Sequence, residues 1–469
     1  MGVLPTPLAG GMHRHAIAAS LAVWLLNGSP HVARAQTQAA ASPSPPEAGS
    51  IPASEAPGPP QLSQEPLSRE AAVQLALRQA SAYQQAALNE RAAGLDRQIA
   101  RAARLPHLSA QGIGTLSSPG LRGDRRTPAF IAANAIPELQ TYLTLSGDLD
   151  VSGGLGAALA KNVALLDAAK AGTEVARRAL ISGTEQAYYA LALAVAMREA
   201  ADFNVADAAE LERVIGLMLK SVEVAPVDLL RARIGTATRR DELERARSAQ
   251  IVAGNALRLL IGYDFETPLA IVPLEATELR TAELDAFPAR PASRPPELQA
   301  LDAMKRAADL ETSAARAELR PKLAYVANVG WDTDSVSAHG LATHFGASGE
   351  LNLVVPILDW GATTAKYEQA RLRSAVAQSQ AVVATRSHLQ GYLTAREQAS
   401  SAARRITLLR AAVADAQQTL ALSLARYRAG ESPILDVTDA QSTVASQRTG
   451  LSQAIYDYQV ALIELRSNK

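Results

Sequence analysis

Two stretches of this chain, from about Gly156 to Leu219 and from Thr364 to Arg428, run with almost no proline and few glycines. Both are rich in Ala and Leu, and between them they carry Arg, Glu and Gln. Read as helices, each is a rod of about 100 Å, because an α-helix rises about 1.5 Å per residue. A globule cannot enclose rods of that length. Each rod turns at a proline-marked tip, Val224-Ala225-Pro226 or Glu431-Ser432-Pro433, and a partner helix returns towards Gly262 or Lys469. Such hairpins must pack as coiled coils, with small alanines letting backbones approach closely. A lone chain would leave long apolar stripes uncovered, so the pattern predicts oligomerisation. Composition agrees: 48% of residues are apolar but only 4% aromatic, which suits closely spaced helices better than a compact enzyme core.

The rods sit inside an arrangement that the chain states twice: a helix, two strand regions and a long helical pair. In the first half a helix spans Leu67–Arg104, with Ser68 as N-cap and Pro106 as its stop. In the second, Ser293-Arg294-Pro295-Pro296 opens a helix that runs to Arg320 and stops at Pro321. Thr267–Pro291 is a proline-punctuated connector. The halves are bounded at 67–285 and 286–469.

Strand signals are strongest at Thr141–Val151 and Ser348–Ile357. Leu143, Leu145, Leu149 and Val151 share one face, against Thr144, Ser146, Asp148 and Asp150. Leu351, Leu353, Val355 and Ile357 likewise oppose Glu350 and Asn352, and Leu323–Asp332 repeats the pattern. Leu108–Leu116 is a glycine-diluted fourth candidate. About ten residues with one apolar face suit a strand crossing an outer membrane, but a half-buried strand of a soluble sheet alternates identically. Four strands are too few to close a membrane barrel, which takes about eight or more. Either the sheet is soluble or several chains contribute to one barrel.

The N-terminus reads as an export signal. His13-Arg14-His15 precedes an apolar run, Ala16–Leu26, and Ala33-Arg34-Ala35 is a small-residue cleavage site. The signal peptide is placed at 1–35, and 36–66, rich in Ala, Pro and Ser, reads as a disordered leader. No later stretch holds the roughly 18 consecutive apolar residues of a membrane helix.

Several chemistries are disfavoured. Lys plus Arg and Asp plus Glu number 46 each, so net charge gives no argument for nucleic acid. Cysteine is absent, which removes disulfides, thiolate metal sites and a lipidated cysteine anchor. His107, His339, His344 and His388 have no metal-ligand spacing, and neither a metal nor a cofactor is expected. Gly153-Gly154-Leu155-Gly156 reads as a backbone bend rather than a phosphate loop. Arg122-Gly123-Asp124 reads as a charged surface loop between the first two strands. Neither a nucleophile elbow nor a P-loop occurs, which disfavours an enzyme.

Several segments resemble one family in order. They are Leu67-Ser68-Arg69-Glu70-Ala71-Ala72-Val73-Gln74-Leu75-Ala76-Leu77, Asn255-Ala256-Leu257-Arg258-Leu259-Leu260-Ile261-Gly262, Arg320-Pro321-Lys322-Leu323, Val355-Pro356-Ile357-Leu358-Asp359-Trp360-Gly361, and the run from Tyr427 to Gln441. Across Leu67 to Lys469 the chain resembles the TolC-like outer-membrane efflux proteins. That resemblance implies an α+β membrane protein: a trimeric twelve-stranded transmembrane β-barrel, four strands per chain, continued by a long α-helical coiled-coil barrel in the periplasm, from two internal structural repeats. It implies passive conduction as the exit duct for an inner-membrane ABC or proton-driven pump and a periplasmic adaptor, serving small-molecule efflux or type I protein secretion.

Residue by residue, the resemblance makes Asp436 and Asp439 paired acids of a periplasmic constriction, Tyr427 its gate tyrosine and Asp228 an acid that helps hold it closed. Three apart on a helix, Asp436 and Asp439 face one side. Ser432 stands where the family has a gate arginine, and Val227 where it has a threonine, so the usual guanidinium–carboxylate lock cannot form there. The tips, Val224, Ala225 and Pro226 with Gly430, Glu431, Ser432 and Pro433, are the implied adaptor surface, and Pro356 and Gly361 the strand-to-rod junction. The alternative is an exported structural coiled coil that never inserts in a membrane.

Overall fold

The structure, a computed structural model, describes residues 66–79, 81–116, 137–221, 224–274, 282–291, 294–333 and 342–468. The expected signal peptide, nearly all of the leader, the Arg122-Gly123-Asp124 tripeptide and His339 lie outside these residues. The first half runs α1 (Arg69–Arg78), α2 (Ala82–Ala102), β1 (His107–Leu116), β2 (Pro137–Leu149), α3 (Gly154–Lys220) and α4 (Pro226–Ile261). After a short α5 (Ala282–Asp285), the second runs α6 (Pro296–Ala317), β3 (Lys322–Thr333), β4 (Phe345–Val354), α7 (Ala362–Arg428) and α8 (Ile434–Ser467). The long helices of the two halves, α3 and α7, are each 67 residues.

Ser68 caps α1 as expected, its hydroxyl accepting from the Ala71 N–H at 3.2 Å. The single helix expected over Leu67–Arg104 is broken, however. Gln79 is extended (φ −84, ψ 158), and α2 begins afresh at Ala82. Gln79 lies against Gly262, whose φ of +74 ends α4; a side chain at 262 would collide with the Gln79 amide. The break thus falls where the chain packs against the end of α4, and α2 restarts behind Ser81.

The four strands form one antiparallel sheet in the order β1-β2-β3-β4. The register puts Leu145 beside Leu108 and Ala327, Leu149 beside Leu323, and Leu323 beside Leu353. Leu143, Val329, Trp331, Phe345 and Leu351 share that face. Gly147 leaves room there for Tyr325, since a Cβ at 147 would come within 2.7 Å of its hydroxyl. The opposite face is polar: Thr144 donates to Asn328 Oδ1 at 2.8 Å and Tyr142 to Asp332 Oδ2 at 3.0 Å. β1 and β4 are the two sheet edges. β4 ends at Val354, short of the expected Ile357, because Pro356 has no N–H to continue a ladder.

The main core lies where both helical pairs meet the connector. On α7, Tyr392, Ala395, Ala399, Ala402 and Ile406 recur at the three–four spacing of a coiled-coil seam and are buried. Ala454, Tyr458, Ala461 and Leu465 of α8 join the same cluster. The connector is more than a spacer. Ile271 bridges Leu67, while Leu274 and Phe287 are core residues. Tyr392 donates to the Pro288 carbonyl at 2.7 Å, and Tyr188 donates to the Leu67 carbonyl at 3.0 Å.

Half-buried Glu464, on α8, is pushed above the ordinary carboxylate range by burial. A raised folded-state pKa means stability that is present below the unfolded value and lost as pH rises through the folded one. Glu464→Gln should therefore melt higher than wild type at pH 7, with the gap closing below about pH 4, the unfolded carboxylate value. Thermal melts at the two pH values read this directly.

Candidate gate at the hairpin tips

The second tip is built by a specific helix ending. Gly430, at φ +74, takes the left-handed position after α7. The Glu431 N–H then reaches the Arg426 carbonyl at 2.9 Å, and the Gly430 N–H the Tyr427 carbonyl at 3.0 Å. These two crossed bonds are a Schellman ending, for which a residue without Cβ is favoured. Pro433 follows and α8 starts at Ile434, with Asp436 in its first turn. At the first tip, Pro226 is the first residue of α4 and Asp228 lies in its first turn, where acids suit the helix dipole. Residues 222 and 223 lie outside the described residues.

Within one chain the two tips pack on each other. Leu211 and Ile215 of α3, Ala232 of α4, Tyr427 of α7, and Ile434 and Val437 of α8 form a second buried cluster. Val224, expected at an adaptor surface, packs partly into it. Ala225, Pro226, Val227, Gly430, Glu431 and Pro433 are exposed.

Asp436 and Asp439 are both exposed, while Val437 and Ala440 between and beyond them are buried. The carboxylates thus share the side of α8 turned away from the tip cluster. Neither side chain has an ion-pair partner among the described residues. Asp228 is largely covered and lies 3.7 Å from Arg231, on its own helix.

Tyr427 is only 5% exposed, and its hydroxyl is buried without a hydrogen-bond partner among the described residues. Burial, together with the negative charge of nearby Asp228, pushes its phenol above the ordinary range. The Ser432 hydroxyl is likewise buried and without a partner among the described residues. Among the described residues the tip is therefore held by apolar packing, with two hydroxyls that find no partner there and no guanidinium–carboxylate pair between the hairpins at 432.

At the strand-to-rod junctions two acids act as caps: Asp150, which looked like a strand residue, and Asp359 of the junction motif. Asp150 accepts from the Leu155 and Gly156 N–H groups at 3.0 and 2.6 Å. Asp359 accepts from Gly361 and Thr363 at 3.0 and 2.7 Å, contacts that hold its carboxyl below its usual range. Gly153 and Gly361, at φ +79 and +84, precede α3 and α7. Pro356 lies between the end of β4 and this cap. Sequence reasoning placed Asp150 on the polar strand face; its offset of three residues from Gly153 was the available sign of a cap. Among the described residues no group of three His, Cys, Asp or Glu could hold a metal ion.

Residues 72–263 and 290–468 match the family described as outer membrane efflux protein. The chain is 26% identical over 397 residues to the cation efflux system protein CusC of Escherichia coli O6:H1, covering 81% of each. It is 29% identical over 428 residues to outer membrane protein OprJ of Pseudomonas aeruginosa, covering 84% of this chain and 82% of OprJ. Its fold is similar to that of the CmeC outer membrane channel of Campylobacter jejuni, with a TM-score of 0.76 at 16% identity and 85% of each chain covered.

Proposed function

The chain belongs to the outer membrane efflux protein family, and we propose from that premise that three copies form one outer-membrane exit duct. Each copy gives four strands to a twelve-stranded barrel and two hairpins to a hollow helical barrel in the periplasm. The observation that carries this reading is a four-stranded sheet with an apolar face, a polar face and two edge strands, set on rods too long to cover themselves. Joining β4 of one copy to β1 of the next satisfies both edges, turns the apolar face to lipid and the polar face to a lumen. Exposed Leu372, Val376 and Val383 on α7, and Leu88, Leu95 and Ile99 on α2, are then covered by neighbouring rods.

Conduction is passive, and a periplasmic adaptor meeting the exposed tip residues links the duct to an inner-membrane pump. The cargo is small solutes rather than a secreted protein; the resemblance to CusC, itself named for cation efflux, supports this choice. Purified protein should migrate as a heat-resistant trimer and give discrete conductance steps in planar bilayers. A water-soluble monomer without affinity for lipid would instead fit the exported coiled coil. Deleting the gene should sensitise cells to toxic small solutes and leave secreted proteins unchanged.

Asp436 and Asp439 make two stacked rings of three carboxylates in this trimer, at the narrow end of the duct. Such rings attract multivalent cations and resist one another unless bridged. Asp436→Ala with Asp439→Ala should weaken block by a trivalent cation about tenfold or more, as expected when several close charges are removed. Single-channel recordings with unaltered block would remove these residues from the gate.

A further inference from the structure

Most arginines of the long helices pair with a carboxylate, some of them one turn away on the same helix and others on a neighbouring element. Arg177 and Arg178 pair with Glu174, Arg213 with Glu210, Arg247 with Glu244 and Arg371 with Glu368. The end of α2 departs from that habit. Arg97, Arg101 and Arg104 recur at i, i+4 and i+7, which aligns them along one side of the helix and its closing turn. All three are exposed, and none of their guanidinium groups has a hydrogen-bond or ion-pair partner among the described residues. The dipole at the C-terminus of α2 accounts for a cation in the last turn, where Arg101 sits, but not for Arg97 a turn earlier.

The three line an open groove of about 370 Å³ together with Leu105 of the α2–β1 loop and Leu159 and Val163 of α3. One wall is cationic and the other hydrocarbon. The groove also sits where the rod gives way to the sheet, since β1 begins at His107, three residues after Arg104. In the duct proposed above, on which this inference rests, that is the level of the membrane's periplasmic surface.

We propose that the groove binds an anionic phospholipid of the periplasmic leaflet, phosphate on the arginines and glycerol and first methylenes on Leu105, Leu159 and Val163. Guanidinium forks match phosphate oxygens in pairs, and an amphiphile is the ligand that uses both walls. Basic pockets beside a membrane surface favour anionic headgroups, by a factor of about five per positive charge. Three charges thus give a preference on the order of 100-fold, weakened by salt.

The test is native mass spectrometry of the full-length trimer in detergent, titrated with phosphatidylglycerol and with phosphatidylcholine of matched acyl chains. Wild type should bind phosphatidylglycerol at least about tenfold more tightly, a conservative part of the full charge effect. Arg97→Gln with Arg101→Gln and Arg104→Gln should bring the two lipids to near parity, while lysine at all three positions should keep most of the preference. Arg101→Gln alone, the mildest change, should lose about fivefold. Equal binding of both lipids by wild type, or an undiminished preference in the glutamine variant, would overturn the proposal. So would a glutamine variant whose trimer falls apart with no lipid added, since that assigns the arginines to a neighbouring copy. Bilayer conductance of the same samples separates the two ideas: conductance without lipid preference sinks only the lipid site, whereas no conductance from wild type sinks the duct.

Discussion

Val437→Asp should hold the tip end of the proposed duct open, raising conductance in planar bilayers to that of a permanently unlatched channel. Val437 is fully buried at the centre of the cluster that joins α3, α4, α7 and α8. A carboxylate placed there costs several kcal/mol unless the hairpins part and admit water. A bias of about 3 kcal/mol shifts a closed-to-open ratio by roughly 100-fold, enough to reverse a modest preference for closure. Tyr427→Phe is the control. It keeps the ring in the cluster and removes only an unsatisfied hydroxyl, so closure should be unharmed or slightly firmer. If Val437→Asp conducts like wild type, apolar packing at the tip is not what keeps the passage shut.

The second large effect concerns stability rather than gating. Tyr392→Ala should lower the unfolding free energy by about 3–5 kcal/mol, the usual cost of emptying a buried aromatic site. Tyr392 is 1% exposed, lies on the α7 seam and anchors the connector through its bond to the Pro288 carbonyl. Tyr392→Phe should cost only about 1 kcal/mol, the net worth of one hydrogen bond. Because the seam residues that follow it, Ala395 and Ala399, are already small, they have little with which to fill the void. Chemical denaturation monitored by helix content checks both values. A loss below 1 kcal/mol for the alanine variant would mean that the waist of the molecule is held elsewhere.

The rods were legible in the sequence almost to the residue. Gly156–Leu219 and Thr364–Arg428 were expected, and Gly154–Lys220 and Ala362–Arg428 are seen, because nothing in them competes with helix and their ends carry glycine or proline. β3 was equally plain from its alternation. Other features depended on distant partners. β1 looked weak because Gly112 and Gly114 dilute it, yet its full length pairs with β2. β2 begins at Pro137, ahead of the expected Thr141, since proline is tolerated as the first residue of a strand. The break at Gln79 carries only a weak local signal, Ser81 at the N-cap of α2.

The same division holds at the candidate gate. The three-residue spacing of Asp436 and Asp439 already put both on one side of a helix. That Tyr427 would lie among leucine, isoleucine and valine side chains, with its hydroxyl unpartnered, depends on packing between hairpins some two hundred residues apart in sequence. The arginine triplet of α2 did not stand out in the sequence, where Asp96 adjoins it; what sets it apart is that none of the three guanidinium groups has an ion-pair partner among the described residues.

Rods of 67 residues in both halves fix a constraint on how such a chain can change over generations. Shortening one of them by two turns would leave a step of about 10 Å in the lower rim, since each turn climbs about 5.4 Å. In the proposed duct, a partner seated on that rim would then lose its grip on every second hairpin. In the duct proposed above, a deletion in one rod therefore needs a matching deletion in the other, in step with the seam. The ruler is therefore kept twice in a single polypeptide, and each copy checks the other.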